Sequence, residues 1–93
     1  MAIVVTADLP GGTAEQDQSM QRQLNLGQNP APGAVMRLAG PTSNGWRVMS
    51  IWESQDAFDR FRKERLEPAF KEAGVTPPQF QFWTAESMFT PPR

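Results

Sequence analysis

The stretch from Gly45 to Gly74, GWRVMSIWESQDAFDRFRKERLEPAFKEAG, constrains the fold more than any other part of the chain. It reads as a strand feeding directly into a helix. Trp46 to Trp52 is a run of β-branched, aromatic and long apolar side chains interrupted only by Arg47 and Ser50. Ser54 then stands where a helix N-cap should stand, its hydroxyl able to accept from free N–H groups of the first turn, and Asp56 places negative charge at the positive end of the helix dipole. Phe58, Phe61, Leu66, Ala69, Phe70 and Ala73 make an apolar stripe, and Gly74 is the expected left-handed residue past the C-terminus. Pro68 cannot donate to residue 64, so a break near Arg65–Glu67 is expected, with Pro68 in the first turn of the restart.

The rest of the chain falls into place around this unit. Ala2 to Leu9 is a first strand, with Ile3, Val4 and Val5 consecutive, as in a strand covered on both faces. Pro10-Gly11-Gly12 ends it. Thr13 and Gln16 form a capping box for a helix over Ala14 to Leu26. Its apolar stripe is thin (Met20 and Leu24, flanked by Ala14 and Leu26), and two readings stand: a solvated helix resting lightly on a sheet, or one whose Asp17, Gln21 and Asn25 put polar groups into a cavity. A loop, Gly27 to Gly33, leads to a second strand over Ala34–Ala39, carrying Arg37. Gly40 to Gly45 is a turn with Asn44-Gly45 as its left-handed pair. Gln79 to Thr84 is a fourth strand with Phe80 and Phe82 on one face and Gln79, Gln81 and Trp83 on the other, and a tail follows.

The order β-α-β-β-α-β is the ferredoxin-like, split βαβ pattern: an α+β fold with a four-stranded antiparallel sheet and both helices on one face, over one domain spanning residues 1–93. Such a sheet leaves its other face bare, and alternate apolar residues there are best buried against a second copy, which makes a homodimeric barrel.

Composition removes whole classes of chemistry. With no Cys and no His, thiolate catalysis, disulfides, imidazole metal sites, axial-His haem and Ser-His-Asp hydrolysis lose their usual groups. A net charge of −1 argues against nucleic acid as a partner. The glycines form neither a P-loop nor a dinucleotide fingerprint, and no metal or bound cofactor is expected. The start lacks the basic region of a signal peptide, and no apolar run reaches the ~20 residues that span a bilayer, so a cytoplasmic chain away from membranes is expected.

Candidate site residues follow from the hairpin. If Arg37 faces Val48 across it, then Arg37, Val48, Ser50 and Trp52 share one sheet face. Arg37 either reaches solvent or pairs with Glu53, Asp56 or a carboxylate of a second copy, or it anchors an enolate, phenolate or carboxylate in an apolar cavity. Trp46, Trp52 and Trp83 serve packing, or one of them turns its indole N–H to a carbonyl ligand. The run Arg60 to Arg65 reads as an exposed helix face with i, i+4 pairing to its acids.

The run GWRVMSIWESQDAFDRF, followed by ERLEPAFKEAGV, resembles the small dimeric α/β-barrel proteins that include the antibiotic-biosynthesis monooxygenases. The strand–Trp-Glu-Ser–helix junction carries the resemblance, over about a third of the chain. It implies a mostly apolar cavity between sheet and helices in each subunit, and oxygenation, cyclisation or isomerisation of aromatic polyketide-like substrates without metal or flavin. It places Trp52 at a cavity Trp of the monooxygenases. Val48 stands where those enzymes would carry Asn, Phe58 where they would carry Tyr, and Arg37 where many relatives carry His. Two expectations follow. One is a cofactor-independent enzyme with Arg37 and Trp52 as catalytic groups and Gln21, Trp46, Val48, Ser50 and Phe58 around an apolar substrate. The other is a non-catalytic dimeric module that binds an apolar metabolite.

Overall fold

The computed structural model describes residues 2–92. Its elements are β1 (Ile3–Pro10), α1 (Ala14–Leu24), β2 (Ala34–Thr42), β3 (Gly45–Trp52), α2 (Gln55–Phe61), a π-helical turn (Arg62–Leu66), α3 (Glu67–Ala73) and β4 (Phe80–Thr84). The sheet is antiparallel in the order β2-β3-β1-β4. The four strands and helices on one face are the ferredoxin-like fold expected from the sequence.

Both helix starts form as their caps dictate. Thr13 accepts from the Gln16 N–H while the Gln16 side chain accepts from the Thr13 N–H, a complete capping box. Ser54 Oγ accepts from the Ala57 N–H at 3.1 Å. Gly74 ends α3 at φ 70, the left-handed cap. The first helix is shorter than its pattern suggested: Asn25 turns left-handed (φ 53) and donates its N–H to the Gln21 carbonyl, closing the helix at Leu24.

The interruption expected near Arg65–Glu67 takes the form of a π-turn, and α3 restarts at Glu67 with Pro68 in its first turn, as expected. The backbone runs on from α2 into α3 through the π-turn, with Glu67 N–H bonded to the Arg62 carbonyl five residues back. One wider turn absorbs the donor that proline lacks, so the rod stays continuous. It also brings Arg62 and Glu67 within 3.5 Å, an i, i+5 pair. Nor are the arginines here a plain solvated face. Arg62 lies over the Phe80 ring at 4.8 Å, and Arg65 donates to the Leu24 carbonyl at 2.6 Å, satisfying the C-terminus of α1. Ala73, expected in the apolar stripe, is exposed.

The hairpin differs from expectation by two residues. Thr42 pairs with Gly45, so Ser43-Asn44 forms the connection, and Asn44 does not adopt the left-handed conformation. Gly45 is needed for a different reason: a Cβ there would lie 2.3 Å from the Leu9 carbonyl oxygen and 2.5 Å from the Gly11 nitrogen, where β1 presses against the turn. Consequently β2 extends through Gly40-Pro41, which an edge strand tolerates, and Arg37 faces Ser50 rather than Val48. A shift of two preserves sidedness, so Arg37, Val48, Ser50 and Trp52 still share a face. Near its start β2 carries a bulge, with Val35 the extra residue between Ala34 and Met36.

The core lies between the sheet and the helices. Trp52, Phe58, Phe61, Val5, Leu24 and Ala69 form one buried cluster. Trp52 meets Phe58 edge-on at 5.5 Å and Phe61 at 5.1 Å, and Phe58 in turn meets Phe80 and Phe82.

Candidate functional site

A cavity of about 290 Å³ lies between the sheet and its helices. Alternation along the strands supplies its floor: Val5, Ala7 and Leu9 from β1, Trp46, Val48, Ser50 and Trp52 from β3, and Phe80 from β4. Met20, Leu24, Phe61, Leu66 and Phe70 form the roof. The thin stripe of α1 explains the space: where a bulkier helix would fill the groove, α1 offers Asp17 and Gln21.

Polar groups concentrate on one side. Arg37, rising from the edge strand, is salt-bridged to Asp17 of α1, with the two side chains 30% and 16% exposed. Arg37 is thus neither a free cation nor paired with Glu53 or Asp56; it ties β2 to α1 while lining the cavity. Directly across the strand pair sits Ser50. Its Oγ accepts the Trp52 indole N–H at 2.9 Å. Trp52 is only 3% exposed, so its polar handle is spent within the protein.

Of the residues expected at the site, Arg37, Trp52, Gln21, Val48, Ser50, Phe58 and Trp46 all line this cavity. Asn25 does not, because it caps α1 outside the cavity wall. Trp83 stands half-exposed on the opposite face of the sheet. The buried Trp46 indole N–H has no acceptor among the described residues. Sequence reasoning missed Asp17 as the partner of Arg37. The signal was present, since Asp17 and Gln21 lie four apart on one helix face, but the pairing across 20 residues needed the fold. Among the described residues no cluster of three or more acidic side chains could hold a metal ion.

Known structures share this ferredoxin-like arrangement of sheet and helices. No family model and no curated protein matches the sequence. Among solved structures, SnoaB from Streptomyces nogalater, a cofactor-independent oxygenase, superposes with a TM-score of 0.67 at 16% identity over 94% of both chains. A monooxygenase from the gene ActVA-Orf6 of Streptomyces coelicolor, solved with the ligand nanaomycin D, gives a TM-score of 0.60 at 21% identity, over 98% of this chain and 91% of that one. NE2512 of Nitrosomonas europaea, of unknown function, gives 0.67 at 15% identity, over 99% and 94%. The chain therefore shares the fold of these solved structures.

Proposed function

We propose that this protein is a small cofactor-independent enzyme of polyketide-like secondary metabolism, an oxygenase, cyclase or isomerase that forms an enolate or phenolate from an apolar aromatic substrate. The observation that carries the reading is the placing of a single ion pair, Arg37–Asp17, in the wall of an otherwise uncharged, largely apolar cavity. Such a pair moves charge without changing its total. When Asp17 takes a proton from carbon, the negative charge passes to the enolate oxygen, and Arg37 stays beside both. A desolvated site makes that neutralisation strong. Trp52 and Phe58 form an aromatic wall for the substrate, with Gln21, Trp46, Val48 and Ser50 around it. The match in fold to a cofactor-independent oxygenase and to a monooxygenase bound to nanaomycin D supports this reading. Among the described residues no helix is long and apolar enough to cross a membrane. We propose a cytoplasmic protein of one domain that assembles into a homodimer.

A second reading has its own observation. Arg37 and the Trp52 N–H already have internal partners, which suits a module that binds an apolar metabolite without chemistry. Deuterium exchange separates the two. With 2-tetralone in D₂O, the enzyme should accelerate exchange at the α-carbon, and Arg37→Met should lower that rate about 10²–10³-fold, the scale of losing one oxyanion donor. Binding of 2-tetralone with exchange no faster than in buffer would leave only the binding module.

A further inference from the structure

Trp52 lies at the centre of the site, yet it has no polar group left for a ligand. Its ring is wedged between Phe58 and Phe61, and its indole N–H ends on Ser50 Oγ at 2.9 Å. The consequence falls on Ser50. A serine hydroxyl has one proton and two lone pairs, and here one lone pair is fixed by Trp52. Rotation about Cβ–Oγ would otherwise offer the proton three staggered positions, and the Trp52 bond removes one of them. The Ser50 proton has no acceptor among the described residues, and Ser50 lines the cavity. Accepting a bond also polarises the hydroxyl and makes it a better donor.

Ser50 does not stand alone. It pairs in register with Arg37 on the neighbouring strand, so the two side chains leave the same sheet face about 5 Å apart at Cβ. The guanidinium carries five N–H donors and places only one on Asp17. Two donors from adjacent strands thus face one cavity whose remaining wall is largely apolar, its other polar side chains (Thr13, Gln16, Asp17 and Gln21) coming from α1 and its cap.

We propose that Ser50 is the group that touches the ligand, that its O–H and the free N–H groups of Arg37 form a two-donor seat for a single carbonyl oxygen, and that Trp52 is a positioning residue acting through Ser50. The proposal rests on the reading of the cavity as a ligand site and narrows the ligand to a neutral ketone or quinone. Because Asp17 already balances the charge of Arg37, a carboxylate would bring an unmatched negative charge into an apolar space.

A matched pair of probes tests it: 1-acetylnaphthalene and 1-ethylnaphthalene, which differ only in C=O against CH₂. Affinities come from calorimetry, and infrared difference spectra of the ¹³C-carbonyl ketone report the seat directly. On binding, the carbonyl band should move to lower wavenumber. Ser50→Ala should weaken the ketone by about 3- to 10-fold, the worth of one hydrogen bond, and leave the hydrocarbon unchanged. Trp52→Phe, which keeps the ring and loses the N–H, should return the band part of the way, and Ser50→Thr should retain the shift. An unshifted band in the parent protein, a shift that survives Ser50→Ala, or equal losses for both probes would overturn the proposal. If Ser50→Ala does not fold, the contrast between Trp52→Phe and Ser50→Thr decides the matter alone. Failure of the parent protein to bind 1-ethylnaphthalene would instead overturn the cavity reading, and this proposal with it.

Discussion

The two faces of the sheet are built by the same four strands and end in opposite conditions. The face toward the helices carries Val5, Trp52 and the cavity, with Phe58 against it, and all three side chains are buried. The other face carries Leu38, Met49, Ile51 and Trp83, with no helix over it; Leu38 is 51% and Trp83 54% exposed. Val4, on that same face, is nonetheless buried because its strand is central. Where apolar side chains meet their own helices, a thin α1 leaves room for a ligand. Where they meet nothing, they need another surface. The lesson is that a small sheet apolar on both faces can bury only one beneath its own helices and leaves the other uncovered.

The largest expected effect breaks the bare face. Leu38→Glu would place two unpaired carboxylates in the interface of a homodimer, each worth several kcal/mol. Sedimentation should move from twice 10.4 kDa to a single 10.4 kDa chain, while the cavity keeps its ligand. A parent protein that is already monomeric at micromolar concentration would contradict the assignment.

On the covered face, Phe58→Ala removes the ring that joins Trp52 to Phe80 and Phe82. A loss of about 3–5 kcal/mol is expected, readable in urea titration. Trp83→Ala, removing a larger but half-exposed ring, should cost a dissociated chain much less.

Arg37→Met sharpens the comparison at the rim between the faces. The stem volume stays, but Asp17 loses its partner at 16% exposure. Stability should fall by about 1–2 kcal/mol, reduced from a fully buried pair because Arg37 itself is 30% exposed. Exchange into 2-tetralone should fall much further than stability does. A fall in melting temperature with unchanged exchange would make Arg37 a tie between β2 and α1 and nothing more.

The smallest effect belongs to the bare face. Asp8 and Arg47 face each other there, bonded at 2.6 Å, and the Arg47 guanidinium holds the Asp8 carboxyl below its ordinary range. A depressed carboxyl contributes stability above its unfolded value and loses it as pH falls through the folded one. In a fully exposed pair this should be a slight acid-side loss, removed by Asp8→Asn and weakened by salt.

Most of the fold was legible because local chemistry fixes it. The Thr13–Gln16 box, the Ser54 cap, the Gly74 terminus and the near-continuous apolar run of β3 each act within a few residues. What escaped depended on distant partners. The hairpin register is set by Gly45 pressed against Leu9 and Gly11, which no turn rule contains. Pro68 signalled an interruption, and α3 does restart with Pro68 in its first turn, but the junction is a π-turn rather than a gap, with Phe61 before it and Ala69 and Phe70 after it all buried. At the site, a correct sheet face was reached through a register two residues off, since parity survives such a shift. The Asp17–Arg37 bond and the Trp52–Ser50 bond were not legible, because each depends on side-chain reach rather than on spacing.

The division of the sheet is tested most directly by nitrogen–proton spectra of the labelled protein titrated with 1-ethylnaphthalene. Three indole N–H signals serve as reporters, two under the helices and one on the bare face. Trp46 and Trp52 should shift together with the amides of Val5, Val48 and Phe70, while Trp83, Leu38 and Met49 stay still. Shifts concentrated at Trp83, Leu38 and Met49, with Trp46 and Trp52 unmoved, would place the ligand on the wrong face and contradict the account.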